Sequence, residues 1–198
     1  MKPQPLKGKV AVVAGATRGA GRGIACALGE AGAIVYCTGR SVRGKPATQG
    51  RTETIEQTAE MVSARGGTGI WVRVDHPEPA QVKALFARVK KERKGLDILV
   101  NDVWGGDELT EFLASESPLF VGRGVAALAA DPKLKRKSGR VFASWDLSDE
   151  YGFADADGSR PHWGRHFSKK YGAYKKFDDT LFRYFRESPM AVGFPDWP

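Results

Sequence analysis

Three closely spaced glycines, Gly15, Gly19 and Gly21, follow a short run of apolar residues near the start of the chain. Because glycine has no Cβ atom, it lets the backbone turn tightly and lets a pyrophosphate group approach closely. A helix that begins at such a loop adds unpaired N–H groups and the positive end of its dipole. We therefore expect Gly15, Thr17, Arg18, Gly19 and Gly21 to bind the phosphates of a dinucleotide. A glycine-rich surface turn is the alternative.

The residues at the end of the second predicted strand indicate which dinucleotide. A carboxylate at this point would bind a ribose 2′-hydroxyl and repel a 2′-phosphate. The sequence instead has Thr38, Gly39 and Arg40, while Arg18 lies in the glycine loop. Two arginines and no acid favour NADP(H) over NAD(H), because guanidinium groups form charge-assisted hydrogen bonds with phosphate. The alternative is that each is an ordinary surface arginine.

These residues lie at the junctions of alternating strands and helices. Short apolar runs predict strands at residues 9–14, 33–38, 70–74, 96–100 and 141–145. Apolar residues at helical spacing predict helices between the first four strands, a further helix after Ser117 and Pro118, and a short one at 180–186. Strands separated by helices require right-handed crossovers, which predicts a doubly wound, mostly parallel α/β sheet.

The glycine spacing, Asp75 after the third strand, and Asn101 to Gly105 after the fourth resemble the short-chain dehydrogenase/reductase family. Two blocks carry the resemblance, residues 5–106 and 117–158, and the second is similar to the family's last helix and strand. The resemblance implies a Rossmann-type NAD(P)-binding fold, an adenine contact from Asp75, and a cofactor contact from Asn101. It also implies oxidoreductase activity on a small carbonyl or alcohol substrate.

The segment that would carry catalysis is not found in its place. Family enzymes use a Ser and a Tyr-x-x-x-Lys on the fifth strand and the helix after it. Between Asn101 and Gly139 the chain is too short for the extra strands and helices, since one βαβ unit takes about 30 residues. Tyr171 and Lys175 match the motif, with Ser159 upstream, but they follow the last predicted strand. We interpret them as a chance match, so the catalytic residues are unknown.

We therefore expect one Rossmann-type domain at residues 1–158, truncated in the middle, and a basic aromatic tail at 159–198. Residues 1–106 would form its cofactor-binding half, and 117–158 its last helix and strand. Two functions stay open: an NADP(H)-dependent oxidoreductase, and a non-catalytic NADP(H)-binding or interaction protein arising as a deletion isoform or gene-model artefact. Removing inner strands exposes the edges of their neighbours, which predicts self-association or marginal stability.

Composition limits the class of protein but does not identify a binding partner. The chain has 198 residues, a net charge of +8, 41% hydrophobic residues and two cysteines. These values exclude general disorder and a disulfide framework, and predict a cytoplasmic protein without a membrane span. We expect no nucleic-acid binding, although contact of the basic tail with a membrane surface stays open. His162 and His166 have a spacing that suits two metal ligands, but a third is not evident, so we expect no metal site.

Overall fold

Strands and helices alternate along the first hundred residues, as the sequence predicts. The computed structural model describes residues 3–47, 50–102, 116–140, 142–162 and 165. Its first elements are β1 (Val10–Ala14), α1 (Gly19–Glu30), β2 (Ile34–Gly39), α2 (Ile55–Ala64), β3 (Thr68–Arg73), α3 (Pro79–Arg93) and β4 (Ile98–Asn101). They are followed by α4 (Pro118–Ala130), a 3-10 helix (Leu134–Lys137) and α5 (Ser144–Tyr151). The predicted helix at 180–186 lies outside the described residues.

The four strands form one parallel sheet in the order β3-β2-β1-β4. Every residue of β1 is buried, because this central strand is covered on both faces and consists of alanine and valine. The register pairs Ala14 with Thr38 on one side and with Asn101 on the other. The loops after β1, β2 and β4 therefore leave the sheet at the same edge, its carboxyl edge. This arrangement confirms the predicted α/β fold.

The two faces of the sheet are covered unequally. One face packs against α1, α2 and α4 around a core that includes Val13, Leu28, Val35 and Val62. The other face has a smaller core formed by β1, β2 and α3, which includes Val12, Tyr36, Val74, Leu85 and Val89. No helix in the described ranges is both long enough and apolar enough to cross a lipid bilayer.

Helix α4 packs directly against α1 because glycines let their backbones come close. A Cβ atom added at Gly122 would lie 2.5 Å from the carbonyl oxygen of Gly23. A Cβ atom added at Gly23 would lie 2.0 Å from the carbonyl oxygen of Pro118. Both helices contribute apolar side chains to the same core, including Ile24 from α1 and Ala126 from α4. The helix predicted after Ser117 and Pro118 thus packs directly on α1.

The predicted fifth strand at residues 141–145 is wrong. Ser144 and Trp145 belong to α5, Phe142 and Ala143 lie in no strand, and Val141 is outside the described residues. A short apolar run does not distinguish a strand from a helix. Here Asp146 lies in the first turn, where a carboxylate favours a helix, and Leu147 is buried.

Strand β4 consequently forms an edge of the described sheet. Leu99 lies on the sheet face that carries α3, and it is 58% exposed. Its neighbour on the adjacent strand, Val12, is 1% exposed. The sequence predicts that the edge of a strand is left exposed, and Leu99 provides apolar surface of this kind.

The segment after α5 returns to the start of α4 and secures it. Ser117, the N-cap of α4, donates to the Asp155 carboxylate through both its backbone N–H and its hydroxyl group. Burial acts to raise the pKa of Asp155, but these hydrogen bonds and one from the Ala156 N–H lower it overall. The Phe153 ring also packs edge-on against Phe120, with ring centroids 5.0 Å apart.

We predict that Gly122→Ala destabilises the protein by about 2 kcal/mol, because the new methyl group collides with backbone that cannot rotate away. Gly124→Ala is the matched control on the same helix. There the Cβ atom would meet only side-chain atoms, 3.3 Å from Leu147 and 3.5 Å from Phe153. Urea unfolding followed by circular dichroism measures both variants. Equal stability of Gly122→Ala and the wild type would contradict the close packing of α1 and α4.

Candidate functional site

The glycine loop joins β1 to α1 at the carboxyl edge of the sheet. Gly15 and Gly19 have φ angles of 80° and 55°, a region in which side chains are disfavoured. The backbone N–H of Ala16 donates to the carbonyl oxygen of Thr38 at 3.0 Å. The hydroxyl of Thr58, on α2, donates to the carbonyl oxygen of Ala16 at 2.8 Å. These two hydrogen bonds thus hold one side of the glycine loop against β2 and α2.

The carboxylate of Asp102, the residue directly after β4, holds the other side of the glycine loop. The N–H of Gly21 donates to Oδ2 of Asp102 at 2.8 Å, and the N–H of Asp102 donates to Ala14. The N-cap residue of α1, Arg18, makes no side-chain capping bond. Asp102 therefore supplies the acceptor that an N-cap side chain ordinarily provides, and its charge suits the positive end of the helix dipole.

The two predicted phosphate-binding arginines each face a carboxylate. Nε of Arg40 lies 3.8 Å from Oδ1 of Asp75, and the Arg40 side chain is 57% exposed. Nε of Arg18 lies 3.9 Å from Oε2 of Glu53, and this pair is less exposed. Both distances are those of ion pairs and exceed the range of hydrogen bonds.

The end of β2 has no room for a side chain. A Cβ atom added at Gly39 would lie 2.5 Å from the hydroxyl oxygen of Thr17 and 3.1 Å from a methyl carbon of Ile55. An acidic residue at position 39 would therefore require the loop and α2 to move. The packing of Thr17 explains why the strand ends in glycine there.

Asp75 and His76 follow β3 and lie beside Arg40. Oδ1 of Asp75 is buried and has no hydrogen-bond partner, so it remains available as an acceptor. Thr38 donates its hydroxyl proton to the carbonyl oxygen of Val13 at 3.0 Å, and therefore accepts from Nε2 of His76 at 2.9 Å. Burial lowers the pKa of His76 more than the nearby Asp75 raises it, which favours the neutral ring with its proton on Nε2.

All eight predicted cofactor-binding residues lie at this carboxyl edge. Asn101, the last residue of β4, is exposed and lies opposite Ala14 in the register. The set combines a glycine loop at a helix terminus, cationic side chains and an unused carboxylate acceptor, which fits a phosphorylated dinucleotide. Their role in binding stays a prediction. The set is Gly15, Thr17, Arg18, Gly19, Gly21, Arg40, Asp75 and Asn101.

A sequence model of the family described as short chain dehydrogenase matches residues 9–116, more than half of the chain. The chain belongs to this family. Its oxidoreductase relatives include dehydrogenase/reductase SDR family member 1 of Mus musculus, 44% identical over 103 residues. The Homo sapiens protein of the same name is 40% identical over 103 residues. Each match covers 52% of this chain and 30% of the relative.

Solved structures of a putative dehydrogenase and of a short-chain oxidoreductase also align with the chain. A putative dehydrogenase from Xanthomonas campestris is 32% identical with a TM-score of 0.46, and the alignment covers 65% of this chain and 49% of that one. A metagenomic short-chain oxidoreductase in complex with NADP is 27% identical with a TM-score of 0.45, and the alignment covers 67% of this chain and 55% of that one. The family match ends at residue 116, so the predicted resemblance of residues 117–158 lies outside it.

Neither tyrosine in the described part of the chain is prepared for proton transfer in the manner of this family. Tyr36 donates to the Glu92 carboxylate and Tyr151 donates to the Asp131 carboxylate. In each case burial and then the bonded carboxylate raise the tyrosine pKa. A catalytic acid–base group needs its pKa near the working pH, so both shifts oppose that role.

The remaining candidate residues for catalysis or metal binding gain little support within the described residues. Tyr171, Lys175 and His166 lie outside them. Ser159 is exposed in a turn, where its N–H donates to the Asp157 carboxylate. His162 lies 3.7 Å from the Asp149 carboxylate, and within the described ranges no group of three potential ligands could hold a metal ion.

Sequence reasoning missed Asp102 and Glu53 as parts of the site. Asp102 lies among the residues after the fourth predicted strand that carry the family resemblance, but it was assigned no role of its own. Its position directly after β4, at the edge shared with the glycine loop, was the available signal. Glu53 carried no such signal, because its approach to Arg18 depends on how α2 packs.

We predict that Asp102→Ala lowers the free energy of unfolding by about 1–2 kcal/mol, because it leaves the partly buried N–H of Gly21 without an acceptor. Asp102→Asn should lose much less, since its amide oxygen can accept the same bond. Chemical denaturation of the two variants measures the difference. If alanine and asparagine have the same effect, the Gly21 bond does not contribute in this way.

Proposed function

We propose that the protein is an NADP(H)-dependent oxidoreductase that acts on a small carbonyl or alcohol substrate. The observation that carries the proposal is the glycine loop at the N-terminus of α1, with Arg18 and Arg40 beside it and no acid at the end of β2. Membership of the short-chain dehydrogenase family supports the class of reaction. Because the chain matches only 30% of the length of its curated relatives, activity and substrate are inferred for it.

The proposed preference for NADP(H) rests on the positive charge of Arg40 and on the lack of space for a side chain at Gly39. In dinucleotide-binding folds a carboxylate after the second strand binds the ribose 2′-hydroxyl of NAD(H). Gly39 has no space for one, since a Cβ atom would lie 2.5 Å from Thr17. Arg40 follows it directly and is exposed enough to meet a phosphate, whose oxygen atoms match a guanidinium group.

The remaining predicted contacts divide between the diphosphate and the base. The first turn of α1 offers backbone N–H groups to the diphosphate. Oδ1 of Asp75, which is buried and has no hydrogen-bond partner, can accept from the exocyclic amine of adenine. When bound, NADP(H) would supply or accept the hydride, and these residues of the chain would bind and orient it.

The second candidate is a non-catalytic NADP(H)-binding or interaction protein. Both described tyrosines donate to carboxylates and have raised pKa values, so neither is suited to proton transfer, which is the observation behind this candidate. Consumption of NADPH with a panel of aldehydes and ketones tests the difference. Turnover that is abolished by Tyr171→Phe would support the enzyme and assign its acid to Tyr171. Tight NADPH binding without turnover would support the second candidate.

We also propose a reducing, cytoplasmic setting and self-association. Cys26 and Cys37 are free and buried, and burial raises the pKa of both thiols, that of Cys37 to about 12, so neither thiol is poised for oxidation. The exposed Leu99 on the edge strand β4 gives a second copy an apolar surface to cover. The described residues give no comparable support for nucleic-acid or membrane binding.

We predict that the chain binds NADPH more tightly than NADH, and that Arg40→Ala weakens NADPH binding about tenfold with little effect on NADH. The reason is that only NADPH carries the 2′-phosphate that Arg40 would bind. Isothermal titration of both cofactors against both proteins measures the four dissociation constants.

Arg65→Ala is the matched control for this titration. Arg65 caps the opposite end of α2, where it donates to the carbonyl oxygen of Met61, and it should leave both affinities unchanged. An unaltered preference in Arg40→Ala would remove Arg40 from the site. Failure of the wild-type chain to bind either nucleotide would refute the proposed cofactor function.

A further inference from the structure

Glu53 places a carboxylate between two arginines next to the predicted 2′-phosphate site. Its Oε2 atom lies 3.9 Å from Nε of Arg18, and its Oε1 atom lies 3.8 Å from Nη1 of Arg51. The Glu53 side chain is 28% exposed, so the pair with Arg18 is only partly solvated. The arginine that sequence reasoning assigns to a phosphate is thus already engaged by an anion of the chain itself.

The position of Glu53 is fixed by the start of α2. Thr54, the next residue, is the N-cap and forms a reciprocal capping box with Gln57. Arg22, on α1, donates to Thr58 and to the carbonyl oxygen of Thr54, which ties the first turn of α2 to α1. The backbone that follows Glu53 is therefore held in place, and the carboxylate lies close to the glycine loop.

The charge on Glu53 persists at neutral pH. A hydrogen bond from its own backbone lowers the pKa of its carboxyl group, and Arg18, Arg51 and Arg22 lower it further. Its negative charge faces the same cation that a bound phosphate would need. A phosphate approaching Arg18 must therefore displace Glu53 or share the arginine with it against mutual repulsion.

We infer that Glu53 competes with the 2′-phosphate of NADP(H) for Arg18, and so limits how strongly the site prefers NADP(H) over NAD(H). This inference rests on the proposed function and deepens it by adding a specificity-determining residue. The ion pair is too long for a hydrogen bond, so a phosphate that bonds directly to the guanidinium group can replace it. NAD(H) has no group at this position and should not respond to the change.

The opposite role for Glu53, in which it helps to bind NAD(H), predicts a different result. If Glu53 accepted a hydrogen bond from the ribose 2′-hydroxyl, its removal would weaken NADH binding and leave Arg18 irrelevant. Competition predicts an effect on the phosphorylated cofactor alone. The two roles therefore differ in which dissociation constant changes.

The test is Glu53→Gln, which keeps the side-chain shape and removes the charge. We expect it to bind NADPH about two- to fivefold more tightly, in line with the modest strength of partly exposed ion pairs, and to bind NADH unchanged. The gain should shrink as salt is raised, because exposed charges are screened. Adenosine 2′,5′-bisphosphate, which has the 2′-phosphate but no nicotinamide, should show the same gain.

Glu60→Gln is the matched control. Glu60 lies on α2, the helix that begins just after Glu53, and pairs with Arg43 at 2.6 Å, with both side chains largely exposed. This variant removes one negative charge, as Glu53→Gln does, but not one that pairs with Arg18, and it should leave the binding of all three nucleotides unchanged. An equal gain in both variants would mean that only the net charge matters, and would overturn the inference.

The outcomes separate the inference from the proposed function. If the wild type binds NADPH and Glu53→Gln binds it equally well or less well, the inference is wrong and the proposed function stands. If only Glu53→Gln binds NADPH, the competition is supported and the proposed function fails for the natural chain. If neither protein binds any of the three nucleotides, both are wrong.

Discussion

The close approach of β4 to the first turn of α1 is the constraint on which the candidate site depends. A Cβ atom at Gly21 would lie 2.4 Å from the carbonyl oxygen of Gly15 and 2.8 Å from Oδ2 of Asp102. Only glycine at this position lets the loop, the helix and the end of β4 meet. The hydrogen bond from Gly21 to Asp102 then fixes the direction of α1, and with it the N–H groups that would face a diphosphate.

The second half of the chain keeps this arrangement by packing helix against helix. Gly23 and Gly122 let α4 lie directly on α1, and α4 shares one core with residues of β1 and β4. The other face has no equivalent cover near β4 in the described residues, which is why Leu99 is 58% exposed. In the described residues, apolar cover is therefore present on the face of the sheet that carries α4 and is incomplete at β4 on the opposite face.

Much of this organisation could be predicted from the sequence, and the failures have physical causes. Buried β-branched runs and the glycine spacing are local signals, so the four strands and the loop were predicted to within about two residues. The run from Val141 to Trp145 was predicted to be a strand, because a short apolar run has no hydrophobic periodicity that distinguishes a strand from a helix. The helix found there, α5, depends on packing against α4. Asp102 and Glu53 act through contacts with residues distant in sequence, and these depend on tertiary packing.

The central claim is that the glycine loop, the end of β2 and the start of the loop after β3 form one nucleotide site. Hydrogen–deuterium exchange with and without NADPH tests it most directly, because it reports protection segment by segment. We expect slower exchange at residues 15–21, 39–41 and 75–76, with residues 144–158 unchanged. NADPH binding that protects none of these three segments, or protects only residues 144–158, would contradict it.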